Sequence, residues 1–115
     1  MTFKTLPEVA AAMRAFADER EWDRFHTPKN LAAAMSVEAA EVLEHFQWLT
    51  DEEAKALPPE KRDAVALELA DVFLYLVRLS DRLGVDLLEA SKRKMALNAL
   101  KYPAGSNRGE IRKTP

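Results

Sequence analysis

Apolar positions along the chain recur at helical spacing, and polar capping residues punctuate them. Val9, Met13, Phe16 and Ala17 form one stripe at intervals of three and four. Thr5 precedes it with Glu8 three residues on, a capping-box pattern with Pro7 in the first turn. The pattern predicts a first helix from about Leu6 to Glu21. Thr27 and Pro28 open a second, running to about Trp48, with Leu31, Ala34, Met35, Val37, Val42, Leu43 and Phe46 as its apolar surface. Thr50 with Glu53 is another capping box and predicts a short helix that Pro58 and Pro59 end. A third long helix is expected from Pro59 to about Leu83, with Gly84 suited to the left-handed position just past its end. A fourth begins after Asp86, with Glu89 three residues on, and stops at about Tyr102 before Pro103.

The connections between these helices are short, as in an antiparallel bundle. The expected fold is therefore all-α, a four-helix antiparallel bundle. Residues 1–103 form one helical domain and 104–115 a flexible, mildly basic tail. The third helix carries more apolar surface than one small core can take. Leu67, Leu69, Val72, Phe73, Leu74, Leu76, Val77 and Leu79 point around most of its circumference. The missing cover is expected from a second copy, so oligomerisation completes the bundle.

Composition narrows this picture only slightly. The 115 residues suit one domain, and the apolar share of 48% supports a real core. Charged residues make up 31% but nearly cancel, to −2. No whole-chain field favours nucleic acid. The chain has no cysteine, which excludes disulfides and thiolate metal sites and is compatible with the cytoplasm. Its N-terminus lacks the apolar core of a signal peptide, and no segment suits a membrane span.

Against that background, two acid pairs stand out. Glu38 with Glu41, and Glu68 with Asp71, are each spaced i,i+3 within apolar helical stretches. Such pairs share one helix face, about 5–6 Å apart at Cβ. Like charges there repel, and an apolar setting strengthens the repulsion. A single such pair on its own is better read as a solvated helix face; two pairs of the same geometry, one in the most apolar stretch of the chain, favour a metal site. Antiparallel packing of the second and third helices would bring all four acids together, and a divalent cation would offset their repulsion. Carboxylates alone favour a hard ion, Mg²⁺ or Mn²⁺, which commonly takes substrate phosphates as further ligands. Glu44 extends this cluster or sits on its rim, and His45 reads as a packed residue.

Trp22, Phe25 and His26 gather before the second helix, and Phe46 and Trp48 close it. The two tryptophans read as core anchors or as a stacking pocket for a base. They flank opposite ends of that helix, so they share a pocket only across a subunit interface or through a folded-back loop. Lys94, Asn98 and Lys101 fall on one stripe of the fourth helix, with Tyr102 beside them. That stripe reads either as a basic end complementing the helix dipole or as a polyphosphate clamp.

Taken in order, these segments are Glu21 to Leu31, Glu38 to Glu41, Phe46 to Trp48, Glu68 to Leu76 and Lys94 to Pro103. The set resembles the MazG-like all-α nucleoside triphosphate pyrophosphohydrolases, and within them the dCTP pyrophosphatase branch. The resemblance spans roughly residues 8–103. It departs from the broader MazG pattern at Val37, where two adjacent acids usually open the first motif. It implies hydrolysis of a nucleoside triphosphate to the monophosphate and pyrophosphate, in clearing unwanted nucleotides. Glu38, Glu41, Glu68 and Asp71 match the Mg²⁺-binding acids. Trp22, His26 and Trp48 match the base-pocket region, and Tyr75 lines the same cavity. Lys94, Asn98, Lys101 and Tyr102 match a segment that closes over sugar and phosphates. Homotetramers, arranged as dimers of dimers with sites between subunits, are implied too.

The expected mechanism is metal-assisted attack of water on the α–β phosphoanhydride, with Glu41, or after it Glu38, accepting the water proton. Two rivals stand beside it. One is a non-catalytic helical oligomerisation or nucleotide-sensing module. The other is a related phosphoribosyl-nucleotide pyrophosphohydrolase, against which the flanking tryptophans argue.

Overall fold

Local capping sets where each helix begins. The computed structural model describes residues 2–105, and among these there is no strand. Thr5 takes an extended backbone and its side chain accepts from the Glu8 N–H, starting α1 (Leu6–Glu19). Thr27 does the same for Asn30 and starts α2 (Pro28–Glu44). The Thr50–Glu53 capping box is reciprocal and starts α3 (Asp51–Lys55). Pro59 opens α4 (Pro59–Arg82), and Asp86 caps α5 (Leu87–Lys101) through the Glu89 N–H.

Two helices end in the same hydrogen-bonded turn. After α4, Gly84 at φ +67° lets the Val85 N–H reach the Ser80 carbonyl at 2.9 Å and the Gly84 N–H reach Asp81 at 3.1 Å. After α1, the left-handed position falls on Glu21, at φ 56°. Here the Trp22 N–H donates to the Ala17 carbonyl at 2.9 Å and the Glu21 N–H to Asp18 at 3.1 Å. A residue with a Cβ is strained there, by roughly 1–2 kcal/mol.

The second helix is shorter than its apolar pattern predicts. It stops at Glu44, and residues 45–48 form turns. His45, Phe46 and Leu49 donate to carbonyls three residues back, which tightens and ends the helical winding before the Thr50 cap.

The chain divides into two compact units, one extending to Val85 and one starting at Asp86. In the first, α4 packs mainly along α2 and secondarily on α1. Val9 and Ala17 of α1, Leu31 of α2, and Val65 and Val77 of α4 form its buried apolar core. As the all-round apolar pattern of α4 implies, Leu67, Leu69 and Phe73 remain exposed. The second unit is α5 and the residues that follow it to Gly105. The tail expected at 104–115 lies, beyond Gly105, outside the described residues. Among the described residues no helix is long and apolar enough to cross a membrane.

Candidate functional site

The packing of α4 on α2 brings Glu68 to the Glu38–Glu41 pair. Glu38, Glu41 and Glu68 each offer a carboxylate oxygen, and these oxygens lie within 4.8 Å of one another. Glu38 Oε2 and Glu68 Oε2 are shut off from solvent and have no hydrogen-bond partner among the described residues. Unpartnered carboxylate oxygens in such a setting are costly. The Glu38 carboxyl responds accordingly. Burial pushes it up to about 7, aided by the Glu41 and Glu68 carboxyls and the charge of Asp71. Asp71, the fourth acid, is exposed and stands outside the tight trio. Glu44 is exposed at the end of α2 and is no part of the trio.

Asp71 also lines a neighbouring cavity of about 300 Å³. Trp22, His26 and Tyr75 line it as well, so the expected base-pocket residues of this unit meet there, Trp48 excepted. Trp48 sits in the turn after α2, 87% exposed, outside that lining. The far wall comes from α1: Val9, Ala12, Met13 and Phe16, with Phe3 ahead of the helix. Sequence reasoning took Val9, Met13 and Phe16 for ordinary core. Phe16 meets Trp22 edge to face at 5.6 Å, and Trp22 tilts over His26 at 5.9 Å.

An ion network absent from the sequence reading anchors the loop that carries these rings. Arg78 of α4 is 1% exposed. Its Nη2 donates to Asp23 at 2.8 Å and its Nε to His26 Nδ1 at 3.2 Å. Arg82 adds bonds to Asp23 at 3.0 Å and to the His26 carbonyl at 3.1 Å. On the other side, Asp81 lies 3.9 Å from Arg78 and takes a 2.6 Å bond from Arg14. The bond from Arg78 holds the Asp23 carboxyl below the usual carboxylate range. Burial, then the charges of Arg78 and Arg82, lower the His26 pKa against the opposing pull of Asp23. The available signal was a lone arginine inside the apolar run of α4.

Along α4 the parts follow one another at helical spacing: Glu68, Asp71, Tyr75, Arg78, Arg82. Intervals of three and four keep all five on one face. In the second unit, Lys94 and Lys101 are exposed on the expected stripe of α5. Asn98 is half-buried, with its Oδ1 lacking a partner among the described residues. The Tyr102 N–H closes the helix on the Asn98 carbonyl at 2.7 Å, and the Lys101 ammonium lies 5.6 Å from the Tyr102 ring.

Comparison with known proteins points the same way. The model of the MazG-like family matches residues 33–113. The chain is 43% identical to dCTP pyrophosphatase 1 of Mus musculus over 107 residues, covering 91% of this chain and 63% of that protein. It is 42% identical to dCTP pyrophosphatase 1 of Homo sapiens over 111 residues, covering 95% and 65% respectively. It thus spans less than two thirds of the length of these relatives. A crystal structure of a pyrophosphatase from Archaeoglobus fulgidus DSM 4304 shares its fold with a TM-score of 0.81 at 40% identity. That match covers 90% of this chain and 96% of the other.

Proposed function

The chain belongs to the MazG-like family, and from that premise we propose that it is a metal-dependent nucleoside triphosphate pyrophosphohydrolase. The substrate is dCTP or a modified pyrimidine deoxynucleotide, cleaved to the monophosphate and pyrophosphate. One observation supports this above the rest: an acid trio from two facing helices, with two unpartnered shielded oxygens, stands near a ring-lined cavity to which the fourth acid, Asp71, contributes.

The donor set fits a hard divalent cation. It is made wholly of carboxylate oxygens, and Glu38 and Glu68 each hold an oxygen that nothing among the described residues satisfies. Glu38, Glu68 and Asp71, with Glu41, would hold Mg²⁺. Bound there, the ion supplies positive charge against the phosphate oxygens and the leaving pyrophosphate.

The protein's own residues do the rest. Glu41 accepts the proton of the attacking water. It belongs to the trio but is not one of the two acids with an orphaned oxygen, which leaves it freer than Glu38 or Glu68 for that task. Trp22 and Tyr75 face the base across the cavity, and the α1 wall keeps water from it. The chain self-associates as a homotetramer, a reading supported by the exposed apolar residues of α4, Leu67 at 64% among them. A sedimentation profile of a single monomer with intact helicity would overturn that part.

A panel of triphosphates with and without Mg²⁺, read for pyrophosphate and monophosphate, tests the activity. Release of pyrophosphate and dCMP from dCTP only when Mg²⁺ is present is the expected result. Binding without any pyrophosphate release would favour a non-catalytic sensing module instead.

A further inference from the structure

We infer that Arg78 is a positioning residue: it locks His26 into the tautomer that carries its proton on Nε2 and so presents one fixed hydrogen-bond donor to whatever occupies the cavity. The reasoning starts from what an arginine can do. Every guanidinium nitrogen donates and none accepts. The Arg78 Nε lies 3.2 Å from His26 Nδ1 with donor geometry, so Nδ1 must offer a lone pair. A neutral imidazole with Nδ1 as acceptor has its only proton on Nε2.

The surroundings hold that state. The charged groups facing the ring are Arg78 and Arg82 on one side of the balance and Asp23 on the other. Asp23 is occupied by both guanidinium groups, at 2.8 and 3.0 Å. An imidazolium would set an N–H against the Arg78 N–H. The backbone is pinned as well: Arg82 holds the His26 carbonyl at 3.1 Å, and Asn30 holds the Phe25 carbonyl at 3.0 Å. Among the described residues nothing accepts from Nε2, and the ring lines the cavity. That wall is mostly apolar, with Asp71, Tyr75 and the Trp22 indole as its other polar groups, so a donor fixed at His26 adds to a small set that orients the occupant. Its complement is an acceptor, a carbonyl oxygen or an unprotonated ring nitrogen on the edge of a nucleobase. The identity of that ligand rests on the function proposed above; the tautomer does not.

Two-bond ¹H–¹⁵N spectra of the imidazole-labelled protein, without nucleotide or metal, read the tautomer directly. A His45→Gln variant separates the two histidine signals. The expected spectrum at neutral pH shows His26 protonated at Nε2 alone. A His26 proton on Nδ1, or on both nitrogens, overturns the inference. Arg78→Met is expected to give a tautomer mixture and to raise KM for dCTP by about 3–10-fold, the worth of one hydrogen bond, with kcat within about twofold. If Arg78→Met does not fold, Arg78→Gln keeps a polar head that accepts as well as donates, so Nδ1 no longer faces donors alone, and the same changes are expected. A folded variant of either kind that retains the pure Nε2 tautomer, or wild-type KM, overturns the role given to Arg78. Should no triphosphate be cleaved by the wild-type protein while its tautomer is as stated, the proposed activity fails and the positioning of His26 stands.

Discussion

Replacing Arg78 by methionine should cost far more stability than the same change at Arg82, although both arginines bind Asp23. Arg78 is 1% exposed and donates at 2.8 Å to Asp23 and at 3.2 Å to His26. Hydrogen bonds to charged groups contribute about 1.5–3 kcal/mol each. Removing one partner of a buried ion pair costs roughly 3–5 kcal/mol when the other charge is stranded in the interior. Here the stranding is partial, because Asp23 is 53% exposed and keeps Arg82 at 3.0 Å. Methionine also retains most of the aliphatic stem, so little cavity forms. The loss expected for Arg78→Met is therefore about 2–3 kcal/mol. The Arg82 side chain is 31% exposed, and its pair with Asp23 is worth about 1 kcal/mol or less. Urea unfolding at one fixed protein concentration measures both. With a typical slope, Arg78→Met should lower the midpoint by about 1–2 M and Arg82→Met by less than about 0.5 M. Equal shifts for the two variants, or a shift below about 0.5 M for Arg78→Met, would refute the claim that burial separates them.

Glu41→Gln should leave the helical spectrum unchanged and slow turnover by about 10²–10⁴-fold, whereas a rate near wild type would remove Glu41 as the proton acceptor. Glu38 sets a pH dependence in the metal-free protein. Its folded pKa of about 7 lies above the ordinary value of 4.5, so its stabilising contribution is complete below about pH 4.5 and is lost as pH rises through 7. Melts in EDTA between pH 5 and 8 should show wild type losing stability relative to Glu38→Gln, and a constant difference would contradict the shift. Glu21→Gly removes the Cβ from a left-handed position at φ 56° and should raise stability by up to about 1 kcal/mol, while Glu21→Val should lower it. Urea midpoints for that pair give the sign.

The parts of the fold that sequence predicts well are those written in neighbouring residues. Thr5 with Glu8, Thr27 with Asn30, Thr50 with Glu53 and Asp86 with Glu89 all act over three residues, and each cap forms as expected. Gly84 ends α4 for the same local reason. The far end of α2 carries no such mark. Phe46 and Trp48 continue an apolar pattern, yet the winding stops at Glu44 because the next caps and turns take over. The meeting of Glu38, Glu41 and Glu68 was readable because the first two share a helix face and one packing step brings Glu68 to them, whereas Asp71, expected with them, stands outside. The cavity wall was not, since Val9, Met13 and Phe16 look alike whether a neighbouring side chain or an open space faces them. Asp23 and Arg78 lie 55 residues apart, and nothing at either position announces the other. Only the oddity of a cation amid Leu76, Val77 and Leu79 marked the place.

The one-sided row on α4, from Glu68 to Arg82, makes that rod a ruler. Acids come first, then the ring at Tyr75, then the guanidinium groups that hold the loop, over about 21 Å of axis at 1.5 Å per residue. Every mark on a ruler is movable only by changing what is drawn there, never by adding length between marks. A single inserted residue after Tyr75 would swing Arg78 and Arg82 about 100° around the axis, leaving the acids in place while the loop loses its anchor. Evolution can therefore repaint this site by substitution, but the spacing within it is frozen.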